Sequence, residues 1–182
     1  NSGTQYLAWR GHYYFHGSNF QGVTGSALWQ TDLSASSTQP LVTLPTMGYT
    51  PRAMVPTDSA IVSFWGFYYL DRLIVVRSDG TQSGTWRVDS LGVKVDSTQI
   101  QVIGNKVAFV ASGALHLTDG NPGVHSIDLW PGGNEDVRDL VAFDGKFWFS
   151  ANDSVHGREL WVSNGTVAGT HLYEDYNPGP AD

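Results

Sequence analysis

The chain has 182 residues, a formal net charge of -7, 21 glycines and 7 tryptophans, but only three glutamates, three lysines and no cysteine. This composition favours short strands joined by tight turns over helices, so we expect an all-β protein. It excludes disulfides and thiolate metal sites, and the absence of a lysine or arginine cluster argues against nucleic acid as a partner. The longest uncharged apolar stretch, 60–70, is too short to span a membrane.

Alternating apolar runs bounded by turn residues predict sixteen strands in chain order. They lie at 6–10, 13–15, 27–31, 41–43, 53–56, 61–65, 73–78, 85–88, 99–103, 107–110, 114–118, 126–129, 139–143, 147–150, 159–163 and 171–174. Asp144-Gly145 predicts a two-residue hairpin in which both residues adopt a positive φ. We expect aromatic residues of the strands to pack between sheets, at positions Tyr13, Phe15, Trp29, Phe64, Trp86, Phe109, Phe149 and Trp161.

A turn signal recurs after the third predicted strand of each repeat. It begins at Asp32, Asp79, Asp119 and Asn164, with spacings of 47, 40 and 45 residues. Four-stranded propeller blades have about this length. The sequence therefore predicts one repeat domain over 1–182, with repeats at 4–49, 50–96, 97–136 and 137–178. The expected fold is a β-propeller of four four-stranded antiparallel blades, or half of a larger propeller.

The last repeat carries a family resemblance. Residues 157–166 read GRELWVSNGT and are followed by Ala168-Gly169-Thr170, while an earlier copy keeps Ser78-Asp79-Gly80-Thr81. This pattern resembles the bacterial ELWxxDGT repeat family, with Asn164 in place of that family's aspartate. The resemblance implies propeller-like repeats in a large bacterial protein that is secreted or displayed on the cell surface. It implies no catalytic residue.

Three tryptophans are candidates for ligand binding. Trp9, Trp65 and Trp130 stand beside glycine, proline or polar residues, where an indole could present its face to a sugar. The alternative is that all seven tryptophans pack between sheets, as large aromatic residues usually do. We expect Trp161 in particular to be buried between adjacent blades.

The loop after the fourteenth predicted strand is a weak calcium candidate. Asn152, Asp153 and Glu159 offer oxygen ligands, but calcium needs six to eight oxygens and this loop supplies few of them. The alternative is an ordinary loop with Arg158 and Glu159 in solvent. We likewise expect the run 131–136 to be a solvated loop. His12 and His16 lie four apart on a predicted strand, which separates their side chains too far for one metal ion.

These features predict a non-catalytic scaffold or binding module of a secreted or surface-exposed bacterial protein. Its partner would be a protein or a glycan, and it could form a homo-oligomer or add further propeller blades. Two alternatives stay open: a lectin-like propeller, and an enzyme with its site at the mouth of a central channel. We expect no enzyme activity and no cofactor, with calcium as the one possible exception.

Overall fold

The computed structural model describes residues 6–20, 23–44, 48–67 and 71–179. In these ranges sixteen strands form four four-stranded sheets, and within each sheet every strand pairs antiparallel with the strands next to it in the chain. The described ranges contain no helix, and so none that is long and apolar enough to cross a membrane. This confirms the all-β prediction.

Sheets 1 and 2 occupy the first half of the chain. Sheet 1 contains β1 (Tyr6–Trp9), β2 (His12–Phe20), β3 (Val23–Thr31) and β4 (Gln39–Leu44). Sheet 2 contains β5 (Tyr49–Pro56), β6 (Ile61–Phe67), β7 (Leu73–Ser78) and β8 (Thr85–Leu91).

Sheets 3 and 4 occupy the second half. Sheet 3 contains β9 (Val95–Ile103), β10 (Lys106–Ala111), β11 (Ala114–Thr118) and β12 (His125–Ile127). Sheet 4 contains β13 (Arg138–Phe143), β14 (Lys146–Asn152), β15 (Arg158–Ser163) and β16 (Thr170–Glu174). Every strand overlaps its predicted counterpart, and each sheet begins and ends within two residues of its predicted repeat or inside it.

The chain divides into two compact units, whereas the sequence predicts a single repeat domain. Unit 1 is Asn1–Lys94 with Gly120–Pro122, and unit 2 is Val95–Asp119 with Gly123–Asp182. Unit 1 therefore contains sheets 1 and 2, and unit 2 contains sheets 3 and 4.

Each unit is held together by a core between its two sheets. In unit 1 the cluster of buried residues joins the two sheets through Tyr14, Leu28, Leu41, Leu44, Ile61, Trp65, Ile74 and Val76. In unit 2 the corresponding cluster is Ala108, Val110, Leu115, Leu117, Ile127, Val137, Leu140, Phe147, Phe149, Ala151 and Trp161. Because each strand contributes alternate residues to such a face, the period of two in the sequence specifies the register.

Most of the aromatic residues predicted to pack between sheets are buried. Trp29, Phe64, Phe109, Phe149 and Trp161 are buried, and Phe15 and Trp86 are half-buried. The prediction is wrong for Tyr13, which is exposed. Tyr13 lies opposite Ala8 on the face of sheet 1 that carries Tyr6, whereas its neighbour Tyr14 belongs to the core.

Candidate functional site

A polar turn follows the third strand of every sheet. It begins at Asp32 after β3, Asp79 after β7, Asp119 after β11 and Asn164 after β15. The next residue has a positive φ in all four turns: Leu33 (77°), Gly80 (93°), Gly120 (85°) and Gly165 (82°). The four turn positions are therefore equivalent, as the repeat spacing predicts.

The turns of sheets 2 and 4 contain the same hydrogen bonds around the leading side chain. Oδ1 of Asp79 accepts the backbone N–H of Thr81 at 3.0 Å and its hydroxyl at 2.8 Å. Oδ1 of Asn164 accepts the same two groups of Thr166 at 3.1 and 2.7 Å. Asparagine thus replaces aspartate without changing the bonds, because the turn needs an acceptor oxygen and no charge.

The turn of sheet 1 has the same plan with serines in place of threonine and glycine. Oδ1 of Asp32 accepts the backbone N–H of Ser34 at 2.8 Å and the hydroxyl of Ser37. The Ser37 hydroxyl first, and then the side chain and backbone N–H of Ser34, lower the pKa of Asp32 to about 2. In sheet 2 the Thr81 hydroxyl lowers the pKa of Asp79. The carboxylates of Asp32 and Asp79 are therefore already hydrogen-bonded within their own loops, which supports a structural role for these two turns.

The three tryptophans considered for sugar binding lie in different surroundings. Trp65 on β6 is 0% exposed and packs in the core of unit 1, so its indole presents no face to a ligand in solution. Its neighbour Gly66 suggested a loop, but both residues lie inside the strand. Trp9 is half-buried beside Tyr14, with the Arg10 guanidinium 4.4 Å from its ring. The half-buried ring of Trp130 lies against the Cα of Gly133. Trp9 packs against the same core of unit 1 that contains Trp65, whereas Trp130 belongs to unit 2.

The oxygens of the calcium candidate loop are used within the loop. Oδ1 of Asn152 accepts the N–H of Ser154 at 2.9 Å. Oδ1 of Asp153 accepts the N–H groups of Val155 and His156 at 3.0 and 2.8 Å, and its Oδ2 lies 2.6 Å from Nδ1 of His156. Across the described ranges, no group of three or more His, Asp or Glu side chains is arranged to hold a metal ion.

Asp153 and His156 form an ion pair with a clear electrostatic effect. Hydrogen bonding to Asp153 raises the pKa of His156, and the nearby carboxylates of Asp175 and Glu159 act in the same direction. For Asp153, burial raises the pKa, but the hydrogen bonds from His156 and Val155 outweigh that effect and leave the pKa lowered. Chemically, this pair stabilises a charged imidazole that fastens the loop.

The expectation that Glu159 and the 131–136 run are solvated is wrong for two glutamates. Glu159 is buried, and its carboxylate accepts the N–H groups of Tyr176 and Asn177 at 3.1 and 2.8 Å. Glu135 is also buried, and its carboxylate accepts the N–H of Leu129 at 3.2 Å. A buried carboxylate needs such donors. Glu159 therefore anchors the segment after β16, the last strand of sheet 4, and Glu135 anchors the segment after β12, the last strand of sheet 3.

Arg158 is also not in free solvent. Its Nη2 lies 2.6 Å from Oδ2 of Asp136, and its Nη1 donates to the Asp136 carbonyl at 2.9 Å. Arg138 contacts the same carboxylate at 2.5 Å. The two guanidinium groups thus hold the connection between sheets 3 and 4 in place.

Sheet 4 has an exposed aromatic face on the side turned away from sheet 3. Strand register places Val141 opposite Trp148 on this face, whereas Leu140, Phe147 and Phe149 point into the core. Phe143 is 70% and Tyr173 51% exposed, and Val141 is exposed as well. The Tyr173 ring packs edge-on against Trp148 at 4.9 Å. We call Val141, Phe143, Trp148 and Tyr173 the outer face of sheet 4.

On the side of sheet 1 turned away from sheet 2, Tyr6 and Tyr13 are exposed, whereas Trp29 is buried. Tyr6 is 70% exposed and lies opposite Phe15, with 6.1 Å between the ring centroids. Phe15 in turn stacks on Trp29. Sequence motifs alone do not mark either face as a site. The signal was present in Leu140-Val141-Ala142-Phe143, where apolar residues occupy both faces of one strand.

Comparison with known proteins identifies the fold but no family. No family model matches the sequence, and no curated protein matches it. Among solved structures, oligopeptidase B from Leishmania major is similar over 92% of this chain and 26% of its own, at 12% identity and a TM-score of 0.55. A prolyl endopeptidase is similar over 93% of this chain and 26% of its own, at 9% identity and a TM-score of 0.51.

A third similar structure is a GH43 β-1,3-galactosidase, matched over 93% of this chain and 74% of its own at 12% identity, with a TM-score of 0.42. The chain spans about a quarter of the length of the two peptidases. At these identities the likeness extends to the fold alone. The four four-stranded antiparallel sheets are blades of the β-propeller class.

Proposed function

We propose that this chain is a non-catalytic assembly module that binds another four-stranded sheet of the same kind through the outer face of sheet 4. The observation that carries the proposal is the exposure of Phe143 and Tyr173 on a regular sheet face. Contiguous exposed apolar side chains on a soluble protein mark interaction sites. The resemblance of residues 157–166 to ELWxxDGT repeats supports a secreted or surface-exposed bacterial protein.

The packing on the opposite side of sheet 4 indicates what kind of partner fits the outer face. There Phe147, Phe149 and Trp161 pack against sheet 3 and are buried. A propeller blade is apolar on both faces because it normally lies between two others. A further blade-like sheet therefore fits the outer face of sheet 4 better than a sugar, which would need polar groups around one open ring. A second copy of this chain is the simplest source of such a sheet.

Sedimentation equilibrium across a wide range of protein concentrations tests the proposal. We expect the wild-type chain to self-associate and the Phe143→Ser variant to associate about 10- to 100-fold more weakly. Removing a buried phenylalanine from an interface costs roughly 1.5–3 kcal/mol. Val155→Ser and Val167→Ser are the matched controls, because both valines are exposed but lie in loops outside the outer face.

A wild-type chain that stays monomeric at the highest concentration, or association that Phe143→Ser leaves unchanged, would contradict the proposal. A glycan array probed with wild type and Tyr173→Ser addresses the lectin alternative. Glycan binding that Tyr173→Ser abolishes would reassign the outer face to carbohydrate recognition.

A further inference from the structure

A buried histidine lies between the two sheets of unit 1. His16 on β2 is 3% exposed, and its Nε2 lies 2.7 Å from Oγ of Ser63 on β6. The imidazole ring also packs against Trp65, with 4.1 Å between ring centroids. Ser63 and Trp65 are both fully buried. His16 therefore joins sheet 1 to sheet 2 in the interior of the unit.

The other ring nitrogen of His16 has no hydrogen-bond partner. Nδ1 is buried and makes no bond to any of the residues that the structure describes. A neutral imidazole satisfies one nitrogen through Ser63 at little cost, but a protonated imidazole must donate from both nitrogens. The second N–H would point into a site without an acceptor, which is costly in a buried position.

Among the residues that the structure describes, none that packs against His16 carries a charge that would stabilise its protonated form. On its own strand the titratable neighbour in the core is Tyr14, and from sheet 2 it is Tyr49 on β5. Phenol groups carry no charge in acid. Leu28 opposes His16 on β3, and β6 contributes Ser63 and Trp65. Burial alone lowers the pKa of His16, to about 3, with no contribution from a carboxylate or a cation.

We propose that His16 makes unit 1 acid-sensitive, so that its protonation separates sheets 1 and 2 in mild acid before the packing of unit 2 is lost. Unit 2 contains a matched histidine in a different setting. His116 on β11 is buried, but its Nε2 lies 3.2 Å from the Ala111 carbonyl and its Nδ1 lies 2.9 Å from Oγ of Ser126. A protonated His116 would keep two acceptors, whereas a protonated His16 would have one.

The direction of the effect follows from linkage. In the unfolded chain His16 becomes protonated near pH 6.5, whereas in folded unit 1 it stays neutral down to about pH 3. The stability that neutral His16 confers is therefore complete above about pH 6.5 and is lost as the pH falls below it. The folding equilibrium of unit 1 changes by up to about tenfold per pH unit in this window.

Pulse-labelling hydrogen exchange on the full chain measures this directly. Protein equilibrated at pH values from about 7.5 to 4.5 is pulsed briefly at one fixed pH, and peptides from β2 and β6 are compared with peptides from β10 and β14. We expect the open fraction of β2 and β6 to rise at least tenfold between about pH 6.5 and 5, ahead of β10 and β14. His16→Gln should flatten this rise, and the control His116→Gln should retain it.

Equal protection of all four strands at every pH, or a full rise in His16→Gln, would overturn the proposal. If His16→Gln does not fold, the imidazole resonances of wild-type His16 provide the second test. They should stay those of a neutral ring until unit 1 opens. A reversible titration of His16 in the intact fold near pH 6.5 would overturn the proposal.

Discussion

Trp161 shows how much a single side chain contributes to the packing of unit 2. It is buried between sheets 3 and 4, as the sequence predicts, and its Nε1 has no hydrogen-bond partner among the described residues. Its contribution is therefore apolar packing alone. We expect Trp161→Ala to lower the free energy of unfolding by about 3–5 kcal/mol, measured by urea denaturation.

Tyr173→Ala is the matched control for this substitution. Tyr173 lies on the next strand of the same sheet, but it is exposed, so its truncation should cost less than about 1 kcal/mol. A cost for Trp161→Ala as small as that of the control would show that the core of unit 2 does not depend on this residue.

His156 provides a second test at the scale of the residue. Because Asp153 raises the pKa of His156, Asp153→Asn should move the NMR titration midpoint of His156 down towards its ordinary value. The ion pair stabilises the loop below the raised pKa and ceases to do so as the pH rises through it. Asp144→Asn, which changes an exposed carboxylate in another turn, should leave the midpoint unchanged. An equal shift in both variants would show that Asp153 has no specific effect.

The sequence predicts the burial of residues better than the partners of polar groups. Trp161 is identified by its place in an alternating run, since alternation directly reflects which face is packed. Glu159 precedes it in the same run, but its burial depends on the N–H groups of residues 176 and 177. Such a partner comes from a segment that only the folded chain brings near, so no local pattern reveals it.

Strands and turns are predictable because their causes are local. The turn residues supply their own acceptors and positive φ angles, and this holds for Asp144 and Gly145, with φ of 48° and 68° as predicted for the hairpin. The apolar residues of the outer face of sheet 4 are also visible in the local sequence. The local sequence does not show whether that face is exposed. Which apolar face meets another sheet is decided by tertiary packing.

The turn of sheet 4 leaves no room for a side chain at Gly169. A Cβ at Gly169 would overlap the side chain of Asn164, and Gly84 stands in the same relation to Asp79. We therefore expect Gly169→Ala to destabilise the protein by about 1–3 kcal/mol. Asn164→Ala removes the overlapping side chain, so the double variant should cost less than the sum of the two single variants.

Urea denaturation of the four proteins in this cycle gives the coupling energy. Gly92→Ala is the matched control, because Gly92, like Gly169, does not have a positive φ, and a Cβ there would meet only the Asp71 carbonyl oxygen at 3.9 Å. Strict additivity of Gly169→Ala and Asn164→Ala would contradict the steric account of the turn.

For the whole molecule, the repeat period predicts four sheets, and the structure contains four. The period does not predict the division into two units, because the spacing of the repeats says nothing about how strongly successive sheets pack. Differences such as that between His16 and His116 lie in side-chain partners and not in the period. The acid response proposed for unit 1 therefore belongs to the fold and could not be foreseen from the repeats.

We propose that the outer face of sheet 4 is a contact surface. Hydroxyl-radical footprinting of the full chain at low and high concentration tests it most directly, because oxidation reports the solvent access of individual side chains. The account predicts that Phe143 and Tyr173 become protected as the concentration rises, while Tyr176, exposed but in the segment after β16, stays reactive. Equal oxidation of Phe143 and Tyr173 at all concentrations, under conditions in which the chain self-associates, would contradict it.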